Sequence, residues 1–137
     1  MVAKLVTWSI TLSAVAALSL VGGAGKGPAG DPAESLERML VALGSGDYAE
    51  ACEMILDGGT PVAEGDGSEC AETMRVYAEG IRPGAVRRLR DITVEQVPER
   101  GSRVEISGDA VVGAPSPFAE TVYELVRVDG KWYVAAG

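Results

Sequence analysis

The sequence predicts an α+β fold: three N-terminal helices packed on a curved four-stranded antiparallel sheet, preceded by a hydrophobic leader helix. Three observations predict it. Apolar residues recur at a spacing near 3.6 as far as Gly80, the period switches to 2 beyond it, and the breaks between the alternating stretches are short. Short breaks favour antiparallel neighbours, because a parallel pair needs a long crossover.

The leader occupies residues 1–24. Lys4 is followed by a run from Leu5 to Gly25 without a charged residue, interrupted by Ser and Thr and ending in the small residues Gly22, Gly23 and Ala24. Small residues suit signal peptidase, so the expectation is a signal peptide removed after Ala24. The alternative is an N-terminal membrane anchor, because an uncharged helix of this length covers about 30 Å, the thickness of a bilayer core. No cysteine follows the run, which closes the route of lipid acylation. Either way the remainder is expected to be extracytoplasmic, secreted or held at the cell membrane by the N-terminal helix. Residues 25–30 read as a linker, kept out of a helix by Pro28, and 31–137 as one domain of common size.

Asp31, Pro32 and Glu34 spell a helix start: Asp31 can cap, Pro32 loses nothing in the first turn, and Glu34 can reach back. Leu36, Met39, Leu40 and Leu43 then share one face, with Gly44 suited to the C-terminal cap. A second start at Asp47 opens a helix in which Tyr48, Ala51, Cys52 and Ile55 repeat the spacing up to Gly58 and Gly59. Residues 57–67 hold Gly58, Gly59, Pro61, Gly65 and Gly67 and read as a loop. Ser68 can cap a third helix through about Glu79, with Cys70, Met74, Tyr77 and Ala78 facing inward.

Period-2 alternation then predicts strands over Arg88 to Val97, Arg103 to Val112, Phe118 to Val128, and Lys131 to Ala136. Asp129-Gly130 between the last two is a two-residue hairpin signal. Gly108, inside the second stretch, marks a bulge or bend.

Composition excludes several functions. A net charge of −8, one unit more negative once the leader and Lys4 are gone, repels nucleic acid and anionic lipid. Histidine is absent, which removes Ser-His-Asp and Cys-His catalysis and the usual zinc ligand sets. No glycine motif forms a phosphate cradle, so no cofactor is expected. The acidic stretch from Glu64 to Glu69 lacks EF-hand spacing and reads as a solvated loop, so no metal site is expected. Arg82, Arg87, Arg88 and Arg90 form the only basic cluster; the expectation is pairing with the domain's own carboxylates, and the alternative is an anionic ligand or partner. Cys52 and Cys70 both lie in the exported part, where an oxidising compartment favours a disulfide over two buried thiols. Such a bond would stabilise a small domain by about 3 kcal/mol through loop closure.

Three helices followed by a four-stranded meander resemble the cystatin-like roll. The stretch from about Asp31 to Gly137 resembles the nuclear transport factor 2-like superfamily, in particular its small exported actinobacterial type. The resemblance rests on the ESLERMLVALGSGDYAEACEMI segment, on Cys52 and Cys70, and on the terminal VRVDGKWYVAAG. It implies a cone-shaped pocket between sheet and helices, used in some members for isomerase, dehydratase or cyclase chemistry and in many for binding or dimerisation alone. Members that catalyse without histidine use buried Asp and Tyr, which makes Tyr48, Tyr77, Asp91, Asp109, Tyr123 and Glu124 the candidates here, though no motif links them to those enzymes. The function expected is an exported non-enzymatic binding or interaction module, stabilised by one disulfide and taking a protein or a small apolar ligand. A homodimer is possible, nucleic acid is not a partner, and the membrane is touched only through an uncleaved leader. The alternatives are a small pocket enzyme using Asp/Tyr acid-base chemistry and a membrane-anchored accessory scaffold.

Overall fold

The computed structural model describes residues 27–65 and 67–136. The leader lies outside them, and among the described residues no helix is long and apolar enough to cross a membrane.

Helix α1 spans Pro32–Gly44. Asp31 caps it, its carboxylate accepting the Glu34 N–H at 2.9 Å; Glu34 itself turns to Arg38 in an ion pair. The helix stops in a Schellman turn, in which the Gly46 N–H donates to the Leu43 carbonyl (3.2 Å) and the Asp47 N–H to the Ala42 carbonyl (2.9 Å). The glycine that needs left-handed backbone is therefore Gly46, at φ +79, and not Gly44. Gly44 is the last helical residue and serves a close approach: a Cβ there would lie 2.7 Å from the Leu89 Cβ and 2.8 Å from the Val86 carbonyl oxygen.

Helix α2 covers only Tyr48–Cys52. The chain then turns through the fully buried Met54 into strand β1, Ile55–Asp57, so Ile55 belongs to a strand and not to the helix. Strand β2, Thr60–Pro61, pairs back on β1 across Gly58 and Gly59, and thus lies within the stretch predicted to be loop. Helix α3 follows over Ser68–Glu79, and helix α4 over Pro83–Arg88 runs into a 3₁₀ turn at Leu89–Asp91. The strand predicted from Arg88 to Val97 is accordingly only β3, Thr93–Val94. Pro83 in the first turn marks α4 in the sequence.

The second predicted strand breaks at Gly108. It divides into β4, Arg103–Ser107, a 3₁₀ turn, and β5, Val111–Val112, which leaves the main sheet to pair with β3. A Cβ on Gly108 would run into the backbone of Phe118 and Ala119, which explains a glycine at that break. Strand β6, Val122–Val128, begins after a 3₁₀ turn at Phe118–Glu120, and β7, Lys131–Ala136, follows the predicted hairpin, with Asp129 and Gly130 at φ 52 and 79.

The fold is α+β, but the sheet is mixed and five-stranded, in the order β2-β1-β7-β6-β4, instead of four-stranded and antiparallel. The difference lies in β1, which runs parallel to β7 with Ile55 opposite Val134. Strand β1 supplies the pairing partner for the side of β7 that β6 leaves open.

One face of the sheet carries Val104 and Ile106 of β4, Tyr123 and Leu125 of β6, and Trp132 and Val134 of β7, all buried in one core with Leu36, Met39, Leu40 and Leu43 of α1. Trp132 is wholly buried, with Arg127 over its ring at 5.7 Å and its indole N–H donating to Glu99 at 3.2 Å. Its backbone N–H donates to the Ala29 carbonyl at 2.8 Å. Ser35, fully buried on α1, accepts the Ala29 N–H at 2.8 Å and donates to the Ala29 carbonyl at 3.3 Å. Residues 27–30, which read as linker, are thus laid between α1 and β7.

Gly44→Ala tests the close approach. Alanine favours a helix over glycine by about 1 kcal/mol, but the new methyl meets a backbone oxygen that cannot rotate away, and overpacking costs about 1 to 3 kcal/mol. Urea denaturation is expected to show a net loss of up to about 2 kcal/mol, the difference between the two; a gain would mean that α4 yields freely.

Candidate functional site

Cys52 at the end of α2 and Cys70 in the first turn of α3 form a disulfide, with Cα atoms 6.1 Å apart. The bond matters because α3 otherwise buries little. Ala78 is its only fully buried residue; Cys70 and Met74 are half-buried, and Tyr77, predicted to face inward, is 47% exposed. Toward the other end of α3, Tyr77 meets Phe118 edge to face, with centroids 6.3 Å apart and rings at 88°. Along the exposed side Arg75 joins Glu72 and Glu79.

The space between helices and sheet is occupied by side chains. Trp132, Leu36, Leu40, Met54, Leu89 and Leu125 are wholly buried, and Phe118 is buried beside them. Among the described residues Ser35 is the one buried polar side chain outside the aromatic rings, and its hydroxyl bonds are made.

The six acid-base candidates do not converge. Asp91 and Asp109 are exposed. Glu124 sits on the opposite face of β6 from Tyr123 and pairs with Arg103 at 2.6 Å. Tyr48 is half-buried at the start of α2. Only Tyr77 and Tyr123 come near each other, both around Phe118. Tyr123 is buried, its hydroxyl donating to the Phe118 carbonyl at 3.2 Å, and its pKa is pushed up to about 12, chiefly by burial and further by Tyr77. Tyr133 shifts the same way through burial, with Glu64 and Asp129 adding to it. Of the acidic stretch, Glu64 and Glu69 are exposed and Asp66 lies outside the described residues. No cluster of three or more possible metal ligands occurs among the described residues.

The arginine cluster departs from its expected pairing. Arg82, Arg87, Arg88 and Arg90 are all exposed, and among the described residues none makes an ion pair within 4.0 Å, whereas Arg38, Arg75 and Arg103 all do. Arg87 and Arg88 form the last turn of the short helix α4, with Arg82 just before it and Arg90 in the turn after it. On one side a cleft of about 460 Å³ is floored by Leu43, Tyr48, Ile81 and Val86 and edged by Arg87 and Arg90. On the other, Arg82 and Arg88 face Pro115 and Ser116 across a second cleft. Sequence reasoning named the arginines but placed Arg88 and Arg90 on a strand; Pro83 is the signal that would have placed Arg87 and Arg88 on a helix.

No protein-family model, curated protein or solved structure matches the chain.

Burial of Tyr123 gives a pH dependence. An unfolded tyrosine ionises near pH 10, so the folded-state shift contributes stability that is whole below about pH 10 and is lost as pH rises toward about 12. Ultraviolet titration is expected to show Tyr123 among the last of the four tyrosines to ionise, a step removed by Tyr123→Phe. Ionisation of all four together near the ordinary value would mean that the ring is solvated.

Proposed function

We propose that the chain is an exported, non-enzymatic interaction module of the nuclear transport factor 2-like type, which meets its partner on its outer surface and not in an internal pocket. The observation that carries this reading is the filled interior. A pocket enzyme of this kind needs an acid or base inside an apolar cavity, and here Trp132, Leu125 and Phe118 occupy the space while Asp91 and Asp109 face solvent.

The disulfide supports export, because such bonds persist in oxidising compartments. The antiparallel run β4, β6, β7 packed on α1 supports the roll-type reading. The filled core also supports a protein partner over a small apolar ligand, which needs an enclosing cavity.

The test uses protein recovered from the medium or envelope of an expressing bacterium. Its cysteines are expected to resist alkylation until reduced, and titration with the neutral apolar dye Nile red is expected to give no saturable signal. Freely alkylated cysteines would contradict export to an oxidising compartment. Saturable one-to-one dye binding would reveal an open pocket and overturn the surface-binding reading.

A further inference from the structure

We propose that α4 and its flanks form a docking surface for an acidic segment of another protein, whose carboxylates meet Arg82, Arg87, Arg88 and Arg90 while an apolar side chain enters the adjoining cleft. The proposal rests on the interaction-module reading and names its partner's chemistry.

Four exposed positive charges gather here without counter-charges, in a chain of 20 acidic and 12 basic residues. Among the described residues Arg38, Arg75 and Arg103 pair with carboxylates; the four arginines between positions 82 and 90 do not, nor do Arg100 and Arg127, but those two are not clustered, and Arg127 lies over the Trp132 ring. Like charges gathered without counter-charges repel one another. An acidic partner relieves that repulsion.

Few carboxylates line the clefts. Glu79 is the one acidic residue lining the first and is bound to Arg75 at 2.6 Å; none lines the second, where Ser116 donates to Glu120 at 2.8 Å. Among the lining residues the charge is mainly that of the guanidinium groups, two to each cleft. A guanidinium fork suits a carboxylate, which it can grip with two parallel bonds.

A protein segment covers this site better than a small inorganic anion. Leu43, Ile81, Val86 and the ring of Tyr48 make a largely apolar floor, which a phosphate or sulfate gripped by the arginines would leave uncovered. It suits a hydrophobic side chain flanked by acids. Nucleic acid would need a row of stacking rings, and Tyr48 is the only aromatic residue in this cleft. A second copy meeting this one about a two-fold axis through α4 would set arginines against arginines.

Fluorescence anisotropy of a labelled peptide of about a dozen residues, alternating aspartate and leucine, titrated with the oxidised chain, tests the proposal. Saturable binding is expected. It should weaken roughly tenfold or more in the double variant Arg87→Glu, Arg90→Glu, and on raising salt, as for rim charges that steer an acidic partner. The same variant with glutamine should weaken it by a smaller factor, and Lys131→Glu, on the β6–β7 hairpin, should leave it unchanged. A peptide with serine in place of leucine should bind less. Both arginines are exposed, so the variants are expected to fold, which their circular dichroism checks. Absence of saturable binding, equal binding by the double variant, or displacement of the peptide by heparin or anionic vesicles that bind more tightly through the same arginines would each overturn the proposal. None of these bears on the filled interior, which the Nile red titration reads separately.

Discussion

The Cys52–Cys70 bond is the constraint on which the helical side depends. Helix α3 has twelve residues, close to the length at which an isolated helix is marginal in water. It buries one alanine fully, and its Arg75 ion pairs are exposed, where they contribute little. Closing the loop between Cys52 and Cys70 is worth about 3 kcal/mol, more than any other single contact α3 makes. The Tyr77–Phe118 contact, at about 0.5 to 1.5 kcal/mol beyond its burial, orients the far end.

The position of α3 in turn shapes the surface argued to be functional. Ala78 and Glu79 at its end line the same cleft as Arg87 and Arg90. Leu43 and Gly44 of α1 line it too, and Gly44 lets α4 approach. The chemistry of the outer surface thus follows from two close contacts inside the fold. Beneath it the core is shut: Ser35 and Trp132 hold residues 27–30 against the sheet, and the aromatic and aliphatic side chains leave the candidate carboxyls no apolar interior to enter.

Strong local signals were legible in the sequence. The start of α1 at Asp31 and Pro32, its apolar stripe and the Asp129-Gly130 hairpin are each dictated by neighbours within a few residues, and the disulfide was legible because the chain has two cysteines and therefore one possible pairing. What escaped sequence reading is set by distant partners. Ile55 continues the helical spacing of Tyr48, Ala51 and Cys52, and only the free edge of β7, far along the chain, draws it into a strand. Arg88 to Val97 alternates like a strand, yet its first part is held as helix and turn by packing of Leu89 against α1. The arginine cluster was visible as composition; that its guanidiniums go unpaired depends on where the carboxylates fall in space. For the same reason Glu124 and Tyr123, adjacent in sequence, could be named together as candidates although the pleat sends them to opposite faces.

If α3 is held chiefly by the disulfide, reduction should release it while the sheet stays folded. Amide hydrogen exchange of the oxidised and reduced chain measures this residue by residue. The account predicts that reduction removes protection across Ser68–Glu79 and leaves it in β4, β6 and β7. Protection of α3 that survives reduction, or a sheet that loses protection together with it, would contradict the account.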